Sequence, residues 1–316
     1  MKFLVLPLLT ILVSINSSYG YPSTTSNPQN LLAKSKNIFL RAGSTVDFPP
    51  ELKPPTLMYQ GAVLLGQKKS LLSPFKTVLL GIVSGCHIAF GAYLLLSVGA
   101  NCPEIAKSNP GLQKILMGAF GLPFGLMMTL VGGGELFTGN TALVTTALLE
   151  KKTDVKGLMK NWFFSFLGNF IGSLSMAFLA YQSGTLGASP AAVNSALAKT
   201  SLAFGPAFIR GLLCNWLVCM AVYMASGASS LAGKMVAIFF PISSFVALGL
   251  EHSIANMFII PLAILRGADI SFSAFLLKNL LPVTLGNIVG GAFCVAGMYS
   301  MTYGSTLDAR KSKLRY

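Results

Sequence analysis

Charge is scarce in this chain. Only 10% of its 316 residues are Asp, Glu, Lys or Arg, and acids are the rarer kind, nine against 23 bases. A soluble globular domain carries roughly 25% charge, so an ordinary water-facing surface is excluded. Histidine occurs twice and cysteine five times. Cys86, Cys214, Cys219 and Cys294 fall in apolar runs and Cys102 in a short loop, with no metal-ligand spacing and no disulfide framework. They read as small packing residues, and nothing in the sequence asks for a cofactor.

Apolar residues are abundant instead, at 53% of the chain, with 32 glycines spread among them. Long apolar runs of this kind predict a polytopic α-helical membrane protein. Glycines let such helices approach closely in lipid. The formal charge of +14 invites a nucleic-acid reading. The position of the bases argues against it, because Lys and Arg sit mostly at the edges of the apolar runs, as the positive-inside rule requires.

Residues 1–19 read as a signal segment: Lys2, an apolar run from Phe3 to Val13, then Ser17 and Ser18. That run is too short to span comfortably. Residues 20–55 read as a transit-like extension and linker. They are hydroxyl-rich, carry Lys34, Lys36 and Arg41, have no acid before Asp47, and end in Pro49-Pro50 and Pro54-Pro55. Six spans are predicted, over about 74–100, 112–149, 158–181, 204–226, 234–265 and 275–301. The second and fifth are too long for one plain helix and contain glycine-rich breaks, at Gly132-Gly133-Gly134 and from Gly249 to Ser253. Lysines before the first span (Lys53, Lys68, Lys69, Lys76), between the second and third (Lys151, Lys152, Lys156, Lys160) and bases in the tail put both ends on the cytoplasmic or stromal side.

The breaks repeat each other. Gly133-Gly134-Glu135-Leu136-Phe137-Thr138-Gly139-Asn140 and Gly249-Leu250-Glu251-His252-Ser253-Ile254-Ala255-Asn256 both place a Glu five positions before an Asn, with the two glutamates 116 positions apart. Charge inside a span is expensive and marks a transport path or a buried pair. Corresponding polar breaks in two hydrophobic segments are the best sequence pointer to a transporter's binding site. A second match follows: Lys160-Asn161, Leu167-Gly168-Asn169 and Gly172 against Lys278-Asn279, Leu285-Gly286-Asn287 and Gly290, offset by 118. Three spans per unit is an odd number, so the copies are inverted in the membrane. No clear match links the first span to the fourth. Glu135, Glu251, Asn140 and Asn256 read as the structural frame of the breaks, the glutamates accepting from freed backbone N–H groups. Arg210 is expected to pair with one of them or with a neighbouring subunit. His87 has no motif around it and reads as a packing or locally bonded residue.

At these motifs the chain resembles the formate/nitrite transporter family. The resemblance is carried by Gly133 to Thr138, by Glu251-His252-Ser253-Ile254-Ala255-Asn256-Met257, and by Arg210-Gly211-Leu212-Leu213-Cys214-Asn215-Trp216-Leu217-Val218-Cys219, and it covers about 57–303. It implies an all-α, aquaporin-like inverted repeat of six helices with the second and fifth broken, assembled as a homopentamer with one pore per subunit. Residues 56–303 are then the transporter domain and residues 304–316 a basic tail facing inside. It also implies passage of small monovalent weak-acid anions, nitrite and formate above all, often with a proton.

The site residues follow from the same resemblance. His252 is the central proton-exchanging group. Adding a proton to an anion removes most of the cost of taking a bare charge into low dielectric, and histidine exchanges protons near neutral pH. Thr138 faces it from a loop at the equivalent break, where its hydroxyl can donate to the anion and to the histidine. Leu122, Leu126 and Phe245 fall on the family's two constrictions, although formate channels carry Phe at the position of Leu122. Lys199 draws anions into the outer vestibule, and Asn215 bonds in the region of the histidine. The transit-like extension favours a plastid envelope, with the plasma membrane and a lactate or formate exporter as the alternative. A neutral-solute channel for water or ammonia suits the inverted repeat equally, but His252 and Lys199 argue for anions. An enzyme is disfavoured, because Glu251 and His252 are adjacent on the chain, adjacent residues do not face each other on a helix, and no nucleophile accompanies them.

Overall fold

The computed structural model describes residues 52–305. The signal segment, most of the extension and the end of the basic tail lie outside the described residues. Prolines open several helices, at a position where the missing N–H costs nothing: α1 (Pro55–Leu71), α2 (Pro74–Ser97), α3 (Pro103–Ser108) and α4 (Pro110–Ala119). Then come α5 (Leu122–Gly132), α6 (Phe137–Leu149), α7 (Val155–Ser183), α8 (Ala191–Thr200), α9 (Phe204–Gly227), α10 (Leu231–Ala247) and α11 (Ser253–Leu265). Last is α12 (Phe272–Tyr303), two stretches of which wind as π-helix. Ser73, Asp154 and Ser230 cap α2, α7 and α10 with their side chains. Among the described residues there is no β-strand, only an isolated bridge between Leu52 and Ala228.

Five segments are long and apolar enough to cross a membrane: α2, Pro110–Gly132 (α4 with α5), α7, α9 and α12. The segments α10 and α11 are shorter apolar helices. The expected second span therefore divides into a piece long enough to cross by itself and a 13-residue half-helix, α6.

The two halves share one packing scheme. In the first, Gly168 and Gly172 of α7 press against the Val78 and Ile82 carbonyls of α2. In the second, Gly286 and Gly290 of α12 press against the Phe208 and Leu212 carbonyls of α9. A Cβ at any of the four would strike that backbone, so glycine is required by close approach rather than by φ. The carbonyls are offset by 130 positions and the glycines by 118. The structure thus supplies the match between the first and fourth spans that their side chains hide.

Three helices lie outside the predicted spans: α1, α3 and α8. Residues 52–54, expected in the linker, belong to the folded body, since Lys53 N–H donates to the Gly227 carbonyl at 3.1 Å and Tyr223 Oη donates to the Pro55 carbonyl at 3.0 Å. The large core runs between α2, α5, α7, α9, α10 and α11 and includes Leu122, Leu126, Val218, Phe245 and Phe258.

Candidate functional site

Each break begins where a glycine takes a left-handed turn, Gly133 at φ 83° after α5 and Gly249 at φ 70° after α10. The chain then runs extended through Leu136 and His252 and re-enters helix at α6 and α11. The first N–H groups of those helices have no partner within them. Phe137 N–H donates to Asn169 Oδ1 and Ser253 N–H to Asn287 Oδ1, both at 2.9 Å. The same asparagines donate from Nδ2 to the Glu135 and Gly81 carbonyls (2.9 and 2.8 Å) and to the Glu251 and Gly211 carbonyls (3.1 and 2.8 Å). One buried Asn therefore holds each break to its neighbouring span.

The glutamates do something other than expected. Their carboxylates accept from side chains, not from freed backbone. Glu135 takes Lys69 Nζ at 2.6 Å, Asn140 Nδ2 at 2.7 Å and Asn161 Nδ2 at 3.1 Å. Glu251 takes Lys199 Nζ at 2.9 Å, Asn256 Nδ2 at 2.7 Å and Asn279 Nδ2 at 3.3 Å. The reason is reach: short asparagine side chains already satisfy the backbone donors, and a buried carboxylate needs a cation and several donors to offset its lost hydration. Arg210 pairs with neither glutamate. The ion pairs among the described residues are Lys69–Glu135 and Lys199–Glu251.

The starts of α6 and α11 meet at one point. Thr138 Oγ1 lies 3.0 Å from His252 Nε2, with both residues buried. His252 caps α11, its Nδ1 accepting the Ala255 N–H at 3.2 Å. A backbone N–H can only donate, so Nδ1 is unprotonated; in the neutral ring the proton sits on Nε2 and is donated to Thr138 Oγ1, the reverse of the expected direction, because the cap on Ala255 N–H sets the tautomer. The Thr138 hydroxyl keeps its own hydrogen for another acceptor. Phe245 stacks on the imidazole, with ring centroids 5.9 Å apart and planes 20° from parallel. Two helix N-termini converging there favour negative charge.

Asn215 reaches Thr138 rather than the ring. Its Nδ2 donates to the Thr138 carbonyl at 3.1 Å, to Thr141 Oγ1 at 3.0 Å and to the Asn287 carbonyl at 2.6 Å. His87 is half-buried, and its Nδ1 is buried without a partner.

Two cavities adjoin His252. One, of about 230 Å³, is lined by Lys199, Arg210, Glu251, His252, Phe245 and Leu122 among others. The other, of about 10 Å³, is walled by Leu122, Leu126, Phe245 and His252 together with Ile88, Val218 and Ile242. It has room for about one water. All three expected constriction residues thus meet the histidine in one place. Sequence reasoning missed Ile88, Val218 and Ile242, which look like any buried apolar residue. The pairing of Lys69 with Glu135 has no sequence signal either, since Lys69 reads as one of the inside-facing bases.

Comparison with known proteins bears on what this arrangement belongs to. The family model "Formate/nitrite transporter" matches residues 56–301. The chain belongs to the formate/nitrite transporter family. A probable formate transporter of Methanothermobacter thermautotrophicus is 42% identical to it over 246 residues, 72% of this chain and 89% of that protein. Among solved structures, an FNT family ion channel superposes with a TM-score of 0.71 at 27% identity, covering 78% of this chain and 99% of the other. A pentameric formate channel with formate bound gives 0.61 at 33% identity, covering 73% and 97%. This formate/nitrite transporter family member is an integral, multi-pass membrane protein, and among its described residues no group of His, Cys, Asp and Glu could hold a metal ion.

Proposed function

We propose that this chain forms a homopentameric channel or proton-coupled carrier for small monovalent weak-acid anions, nitrite first and formate second, and that it is not an enzyme. The observation that carries the reading is the buried Thr138 Oγ1–His252 Nε2 contact of 3.0 Å, set between two half-helix N-termini. The solved pentameric formate channel with formate bound supports the assembly and the ligand class. In this reading Leu122, Leu126 and Phe245 form the constriction, and Asn215 orients Thr138 through its carbonyl. Glu135, Glu251, Asn140 and Asn256 frame the breaks. The acid-poor N-terminal extension favours a plastid envelope as the destination.

The proton path follows from the cap. An anion beside Thr138 accepts the threonine hydrogen while His252 Nε2–H replaces it on Oγ1. For the ring to end neutral, Nδ1 must take a proton from the cavity side, and that ends its bond to the Ala255 N–H. Proton exchange is thereby tied to loosening of the first turn of α11. The neutral acid then passes the apolar constriction without the cost of a bare charge.

Uptake into proteoliposomes, comparing nitrite, formate, lactate and water across a pH series, tests the reading. Anion flux should rise as pH falls, because each anion carries a proton. Water flux without anion flux would instead make the chain a neutral-solute channel. Locating a tagged full-length chain and one lacking residues 1–46 tests the destination: plastid targeting lost with the truncation is expected, and plasma-membrane location of both would contradict it.

A further inference from the structure

The larger cavity has two basic residues in its wall, and only one of them is neutralised. Lys199 Nζ is held at 2.9 Å by Glu251, and that carboxylate also takes Asn256 and Asn279. Arg210 lies six positions into α9, is exposed, and lines the same cavity. Among the described residues it belongs to neither ion pair, and its side chain makes no hydrogen bond. An unpaired charge within a span is costly and needs a counterpart. The nearby carboxylate is already spent on Lys199, so the cavity carries Arg210's charge uncompensated.

We propose that Arg210, and not Lys199, is the anion-recognising residue of this vestibule. Its planar guanidinium presents paired N–H donors that match two oxygens on one centre. Carboxylates and nitrite have that shape; chloride does not. The residue therefore selects forked two-oxygen anions before they reach the constriction at Leu122 and Phe245, while Lys199 serves the frame around Glu251. This inference rests on reading the chain as an anion pathway.

The test uses the full-length protein in proteoliposomes and follows formate flux in both directions, at low and high salt, with chloride as competitor. Wild type is compared with Arg210→Gln, Arg210→Lys and His252→Phe, and oligomeric state is measured for each. Arg210→Gln should raise the half-saturating formate concentration about 5–10-fold for entry through this cavity, leave the maximal rate unchanged and flatten the salt dependence. Arg210→Lys should keep the salt dependence yet lose about threefold in preference for formate over chloride, because charge remains and the fork does not. Wild-type half-saturation and salt dependence in Arg210→Gln would overturn the proposal. So would loss of the oligomer in both Arg210 variants, which would place the guanidinium at a subunit contact. Failure of the wild type to carry any anion would overturn the anion reading itself, whatever the variants do.

Discussion

The two breaks share a frame and differ in what they present to each other. In both, a glutamate binds a lysine and two asparagines, and a third asparagine ties the re-entrant helix to its neighbour. Yet the position that holds Leu136 in the first holds His252 in the second, and the position that holds Thr138 in the first holds Ile254 in the second. The polar tie to each half-helix has also moved. Asn215 on α9 donates to the Thr138 carbonyl, and Gly291 leaves room for it. In the other half the span carries Gly85, and Ser173 on α7 makes the corresponding bond to the Ile254 carbonyl at 3.5 Å. Duplication kept what holds a broken helix together. In the proposed mechanism the chemistry sits where the copies diverged, and each copy supplies one member of the Thr138–His252 pair.

If the frames are equal, removing either glutamate should cost the same. Glu135→Ala and Glu251→Ala each leave a lysine and two amides without their acceptor, so each should lose about 3–5 kcal/mol, read as thermal unfolding of the detergent-solubilised protein. A large inequality between them would break the comparison. The divergent positions should behave in the opposite way. His252→Phe should reduce anion flux about 100-fold while costing only about 1 kcal/mol of stability through the lost cap. Thr138→Val, which keeps the shape and removes the hydroxyl, should reduce flux about tenfold.

The smallest effects are expected at the far ends of the half-helices, where the copies carry opposite charge. Arg266 follows α11 and donates to the Gly187 and Ser189 carbonyls at 2.8 and 2.9 Å. Glu150 follows α6, where a helix C-terminus disfavours an acid. It is held instead by Tyr59 Oη at 2.8 Å, Ser305 Oγ at 2.6 Å and Ser305 N–H at 3.2 Å. Arg266→Gln should cost about 1 kcal/mol and Glu150→Gln less, because the amide relieves the opposed dipole while losing charge-assisted bonds. Unfolding curves of the two variants sharpen this part of the comparison.

The frame was largely legible in the sequence because polar groups stand out against apolar runs. Glu135, Asn140, Asn161 and Asn169, with their counterparts, were visible as a repeat before any fold was known. Their bonding was not: the donors to the glutamates come from distant helices, and Lys69 looked like one more inside-facing base. The match between the first and fourth spans was hidden for a different reason. It is carried by the backbone carbonyls of Val78, Ile82, Phe208 and Leu212, which leave no side-chain signature. Ile88, Val218 and Ile242 carry no sequence signal because lining a cavity and filling a core ask for the same apolar residues. Leu122, Leu126 and Phe245 reached the site reading only through the family resemblance.

The central claim is that transport chemistry depends on the residue that makes the second copy different. Nitrite and formate flux across a pH series, measured for wild type and His252→Phe in the same proteoliposomes with the oligomer verified, tests it most directly. The account predicts wild-type flux that climbs as pH falls, and a stable variant whose flux is about 100-fold lower with no pH dependence. Unchanged flux with unchanged pH dependence in His252→Phe would contradict it.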